Sequence, residues 1–94
     1  DDMLRVDYEV LASSSSTLLQ QSEAFGDCID IMTSVIRDLP DAWEAETCDR
    51  FVEQYFDAEP KLKDVKQMIE DMAMQMRQIS ENFEKADQDM KSQM

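Results

Sequence analysis

Three observations in this 94-residue chain predict an all-α fold, a long antiparallel helical hairpin. One Gly and two Pro leave few tight turns, against a many-stranded sandwich or barrel. Apolar residues recur in alternating steps of four and three along both halves, the spacing of a helix laid along a partner helix. The one strong interruption, Leu39-Pro40-Asp41, falls between the two periodic halves. The length holds one core at most, so residues 1–94 read as a single domain.

The first helix is expected over about residues 4–39. Its seam is Leu4, Tyr8, Leu11, Ser15, Leu18, Ser22, Phe25, Ile29, Met32, Ile36 and Leu39. The run Ser13–Ser16 is poor helix material by propensity. The heptad phase is nevertheless the same before and after it, which favours one continuous helix whose small seam residues let backbones approach. Pro40 disfavours helix at the residue before it, so the turn is placed at about 40–42.

The second helix is expected over about 42–90, with a flexible C-terminal tail. Asp41 is placed as its N-cap, with Glu44 three residues on as in a capping box. Its seam is Phe51, Tyr55, Ala58, Leu62, Val65, Ile69, Met72, Met76, Ile79, Phe83, Ala86 and Met90, every member uncharged. Pro60 sits at the outermost heptad position, so a bowed but continuous helix is expected. Leu19, Cys28 and Val35 flank the first seam; Val52, Met68 and Ala73 flank the second. These widen each stripe beyond what one partner helix covers. A second hairpin would bury the remainder in an antiparallel four-helix bundle, so a dimer is expected.

Composition excludes several functions. Nine Lys+Arg against 22 Asp+Glu give a net charge of −13, repelled by phosphate backbones and anionic lipid, so neither nucleic acid nor membrane surface is an expected partner. No segment is long and apolar enough to span a bilayer. No basic start followed by an apolar run marks a secretory signal peptide, so export would use another route. The chain has no His, the commonest general base and metal ligand. A carboxylate metal site in a four-helix bundle needs Glu-x-x-His pairs, and the acids here are spread along outer faces without a looped calcium cage. No catalytic residue, cofactor or metal is expected.

Cys28 lies about 14 residues before the turn and Cys48 about 6 after it. Their heights along a hairpin differ by roughly 12 Å, too far for an internal disulfide. Two small core residues are the expected reading, an intermolecular bridge the lesser one. Six of the eight Met lie between Met68 and Met94. Met72, Met76 and Met90 read as seam filler, whereas Met74 falls off the seam and suits outside contacts.

From about Val35 to Met94 the sequence resembles the WXG family of small helical hairpins exported by type VII secretion systems, in its bacillary and staphylococcal branch. The resemblance rests on Trp43-Glu44-Ala45 in place of a Trp-Xaa-Gly turn, Phe51 eight residues later, Tyr55, and Pro60-Lys61-Leu62. Ala45 departs from the family's Gly; a positive φ there would strain it, whereas the first turn of helix two suits Ala. The resemblance also implies an export motif near the C-terminus, matched in spacing by Phe83, Asp87, Met90 and Met94, with Phe in the place usually held by Tyr. The heptad already supplies Phe83 and Met90, and with 22 acids in 94 residues an acid at 87 occurs about one time in four by composition.

The resulting expectation is a small, non-enzymatic, secreted type VII substrate that pairs with itself. Its turn and the partner copy's tail would form one composite surface, read by the system's membrane translocase ATPase. Trp43 suits either that recognition or a plug at the bundle end. An accessory partner for the helical N-terminal region of a larger secreted toxin is the second reading, and a generic coiled-coil adaptor the third.

Overall fold

The computed structural model describes residues 6–93, so Leu4 of the first seam and Met94 of the export motif lie outside the described residues. The fold is a helical hairpin of two helices, with no strand among the described residues: α1, Tyr8–Ala42, 35 residues, and α2, Glu46–Ser92, 47 residues.

Asp7 starts α1, later than residue 4. Its carboxylate accepts from Val10 N–H at 3.1 Å and its carbonyl from Leu11 N–H at 3.0 Å, the geometry of an N-cap. Glu9 in the first turn suits the positive end of the helix dipole. The serine run stays helical because its hydroxyls bond back to the helix. Ser13 donates to Val10 O at 3.0 Å, Ser15 to Ala12 O at 2.7 Å and Thr17 to Ser13 O at 3.1 Å.

The turn lies three residues later than expected. α1 runs through Pro40 to Ala42, and Trp43 N–H still reaches Leu39 O at 3.1 Å. In a last turn, Pro removes a single donor, too little to stop the helix. Asp41 therefore belongs to α1, and the proposed Asp41–Glu44 capping box does not form. Trp43, Glu44 and Ala45 are the linker itself. Ala45 O accepts from Asp49 N–H at 3.3 Å, so Ala45 precedes α2 instead of lying in its first turn. No described residue has a positive φ, so alanine is unstrained here.

α2 passes through Pro60, which is exposed, without interruption. Its end also differs from expectation. The helix continues to Ser92, two residues past the expected end at about 90; there Ser92 Oγ donates to Asp89 O at 2.9 Å and Lys91 complements the dipole.

The chain forms two compact units, Ser22–Met68 and Asp1–Gln21 with Ile69–Met94. In Ser22–Met68 the buried residues are Ser22, Ile29, Thr33 and Cys48. Lys66 lays its side chain against Gly26, where an added Cβ would collide with it. Thr33 anchors a polar network. Its hydroxyl donates to Glu59 Oε2 at 2.5 Å, which leaves Tyr55 OH to donate to Thr33 Oγ1 at 2.7 Å or to Ile29 O at 3.3 Å. In the other unit Ser15, Ala73 and Ser80 are buried, and Ser80 Oγ donates to Tyr8 O at 2.6 Å. Arg77 reaches Ser16 Oγ at 2.5 Å and Ala12 O at 3.5 Å.

The packed face of α2 is rotated relative to the expected seam. Cys48, Val52, Tyr55, Glu59, Leu62, Lys66, Ile69, Ala73, Met76, Ser80, Phe83 and Asp87 are covered, in steps of four and three, with Phe56 and Glu70 covered beside them. Tyr55, Leu62, Ile69, Met76 and Phe83 belong to both patterns. The other members shift by one residue, and Phe51, Val65, Met72, Ile79 and Met90 are exposed. On α1 only the step at Met32 shifts, to Thr33; Leu11, Leu18, Phe25 and Ile36 are half-buried and Ile29 buried.

Candidate interaction surfaces and export motif

The rotation leaves apolar side chains uncovered. On α2, Phe51 and Val65 within Ser22–Met68, and Met72 and Ile79 within the other unit, are exposed beside covered positions. On α1, Val10, Ile31, Met32 and Val35 are exposed. Within Ser22–Met68, Ile31, Met32, Val35, Ile36 and Tyr55 line one apolar groove. Met74, expected to face outward, is 66% exposed.

At the linker, Trp43 and Phe51 meet with ring centroids 5.7 Å apart at 43°. Trp43 is 38% exposed, so the pair is a partly open aromatic ledge and not a fully buried plug. Glu44 and Ala45 beside it are exposed.

The C-terminal motif lies on α2. Phe83 and Asp87 are half-buried and Met90 is exposed. Asp87 Oδ2 accepts from Tyr8 OH at 3.0 Å and pairs with Lys91 Nζ at 3.1 Å. The Lys91 and Tyr8 hydrogen bonds hold the Asp87 carboxyl below the usual carboxylate range. The same contact to Asp87 raises the Tyr8 phenol and the Lys91 ammonium above their ordinary values. The Tyr8–Asp87 contact escaped the sequence reading. Tyr8 stood in the first seam only as an apolar residue, and Asp87 only as a spacing match. The available signal was the turn: Tyr8 and Ser80 are equidistant from Glu44 along the chain, which brings Asp87, two turns beyond Ser80, within reach of a tyrosine side chain.

The two cysteines part company. Both thiols are free; Cys48 is buried, as expected, and its burial pushes the thiol pKa up, whereas Cys28 is exposed instead of core.

A two-helix chain of this length, with a Trp-led linker and apolar faces left open, defines a class of small helical-hairpin proteins. The family described as "Proteins of 100 residues with WXG" (WXG100) matches residues 3–88, and the chain belongs to it. It is 26% identical over 85 residues to an ESAT-6-like protein of Streptococcus agalactiae, covering 90% of this chain and 88% of that one. It is 25% identical over 91 residues to protein YukE of Bacillus subtilis, covering 97% of this chain and 94% of that one. WXG100 proteins are small, non-enzymatic secreted helical proteins, substrates of type VII secretion that pair with themselves or with partners. No helix among the described residues is long and apolar enough to cross a membrane.

Proposed function

We propose that this chain is a type VII secretion substrate exported as an antiparallel dimer of hairpins, two copies forming a four-helix bundle. The observation that carries the reading is the one-residue rotation of α2. It leaves Phe51 and Val65 uncovered in one unit, and Met72 and Ile79 in the other, beside positions of α2 that are already packed. A monomer would hold that apolar face in water; a second copy removes it. In an antiparallel pair the Trp43–Phe51 ledge of one copy lies near the partner copy's C-terminal helix. Trp43, Glu44 and Ala45 with the partner copy's Phe83, Asp87 and Met90 then make one composite surface. The membrane translocase ATPase reads that surface.

A second reading is favoured by charge. Each chain carries −13, so self-pairing doubles a large like charge. In that reading the apolar face pairs with the helical N-terminal region of a larger secreted toxin, and this chain supplies the export signal.

Light scattering during gel filtration, over a dilution series with circular dichroism on the same sample, separates the two. A helical species at twice 10.9 kDa, stable to dilution, supports the homodimer. A monomeric or poorly helical chain transfers the role to the toxin partner. For the export signal, Phe83→Ala and Asp87→Ala are expected to block appearance of the chain in culture supernatant without lowering helix content. Normal export of both variants would reduce the motif to a structural element.

A further inference from the structure

The acid of the export motif is tied to the first turn of the other helix. Tyr8 is the first residue of α1, and its phenol OH donates to Asp87 Oδ2 at 3.0 Å across the helix pair. Lys91 binds the same oxygen at 3.1 Å from one turn further along α2, but its side chain is 72% exposed, so it holds the carboxylate loosely. The Tyr8 backbone is held independently, by Ser80 Oγ on its carbonyl at 2.6 Å. The tyrosine ring therefore starts from a fixed point, and its hydroxyl is the sole cross-helix contact to the carboxylate among the described residues. Both bonds take Oδ2 and neither uses Oδ1, which faces no donor in either contact.

We infer that Tyr8 is a positioning residue of the export signal: its hydroxyl fixes the Asp87 carboxylate in one orientation for the translocase, so that the signal is complete only when α1 is packed on α2. The inference rests on the export-signal reading above. It adds a physical reason why such a signal reports folding. An acid on a lone α2 swings among rotamers, whereas the acid under Tyr8 is pre-oriented before any partner arrives. A sensor that reads Asp87 in this geometry rejects a chain whose α1 has come away. The groups facing the contact are Lys91 and Glu84 on α2 and Glu9 on α1. The lowered Asp87 pKa agrees with a carboxylate held by two donors.

The test uses the full chain in a cell with a working type VII system, comparing supernatant with cell content for wild type, Tyr8→Phe, Asp87→Ala and the double variant. Phe keeps the ring and removes only the hydroxyl. Export of Tyr8→Phe is expected to fall on the order of three- to tenfold at unchanged helix content. The double variant is expected to be no worse than Asp87→Ala alone, because both remove the same contact. Carboxyl NMR titration of purified Tyr8→Phe is expected to show the Asp87 pKa moving back up. Ser13→Ala removes a hydroxyl bond in the same early turns of α1 without touching Tyr8 or Asp87, and is expected to be exported normally.

Tyr8→Phe exported at or above the wild-type level, with Asp87→Ala blocked, would overturn the role of Tyr8 while leaving the export signal standing. A loss in Ser13→Ala equal to that in Tyr8→Phe would also overturn it, by making the effect one of α1 stability. Normal export of Asp87→Ala would remove the export-signal reading and this inference together.

Discussion

Ile79 and Ser80 are neighbours on α2 with opposite consequences. Ile79 is 44% exposed in the single chain and Ser80 only 4%. Burying an isoleucine fully is worth about 1.5–3 kcal/mol, so the open 44% represents about 0.7–1.3 kcal/mol available to a partner. A symmetric dimer counts that contact twice, about 1.3–2.6 kcal/mol, which weakens self-association roughly 10- to 80-fold in Ile79→Ala. The chain's own packing is barely touched. Ser80→Leu does the reverse: it forces a larger side chain against α1 and removes the bond to Tyr8 O. That costs about 1–3 kcal/mol of overpacking within each chain. Sedimentation equilibrium over a dilution series reads the first effect, and thermal melts at two concentrations read the second. Ile79→Ala is expected to shift the dimer constant while its fully dissociated chain keeps its helix content. An Ile79→Ala dimer constant within about twofold of wild type would refute the reasoning, because the outward stripe would then contribute nothing to pairing.

Other outcomes follow from the same geometry. Thr33→Val removes the donor to Glu59, whose side chain is 16% exposed, and is expected to cost about 1.5–3 kcal/mol, read as a Tm lowered by roughly 10 °C or more; an unchanged melt would mean that Glu59 finds another donor. Trp43→Ala is expected to cost about 2–3 kcal/mol by denaturant unfolding, since 38% of the residue is already open and the full-burial figure of about 3–5 does not apply. A thiol reagent is expected to modify Cys28 in the native chain and Cys48 only on unfolding, because Cys48 is buried with its thiol pKa raised; two fast equivalents would contradict that packing. The Asp87 pKa is lowered on folding, so its stabilisation is present above the unfolded carboxylate value and is lost as pH falls through the lower folded value. Tyr8 is raised, so its share is present below the unfolded phenol value and is lost as pH rises through the folded one. Hydrogen exchange in the first turn of α1 is expected to quicken at both extremes, and flat protection across the range would exclude the linkage.

The hairpin was legible because heptad spacing survived the serine run. Ser15 and Ser22, placed on the seam as small contact residues, are 2% and 0% exposed. Pro60 was legible from its outward position. The choice between α2's two heptad columns was not. Apolarity favours the column of Phe51, Val65, Met72 and Ile79 over that of Glu59, Lys66, Ala73, Ser80 and Asp87. The structure packs the polar column on α1, because its groups find partners there that a count of apolar residues does not register. Thr33 meets Glu59, Tyr8 meets Asp87 and Ser80, and Ala73 lines one pocket with Ser15. The linker was misplaced because a proline in a final helical turn costs one donor, less than the proline rule assumes. Of the export motif, the spacing was readable in α2, whereas the tyrosine that touches its acid lies 79 residues away in sequence.

The hydroxyl network around Thr33 has a further consequence for alignment. Two heptad-patterned helices can slide past each other by a whole repeat and still match apolar to apolar, so greasy contacts alone leave several near-equal alignments. A slide of one repeat would carry Glu59 away from Thr33, leaving a largely covered carboxylate with only Lys63 of its own helix, and would part Tyr55 from the same hydroxyl. The polar triplet thus works as a notch on an otherwise smooth ratchet: within Ser22–Met68 it selects one alignment out of a ladder of look-alikes.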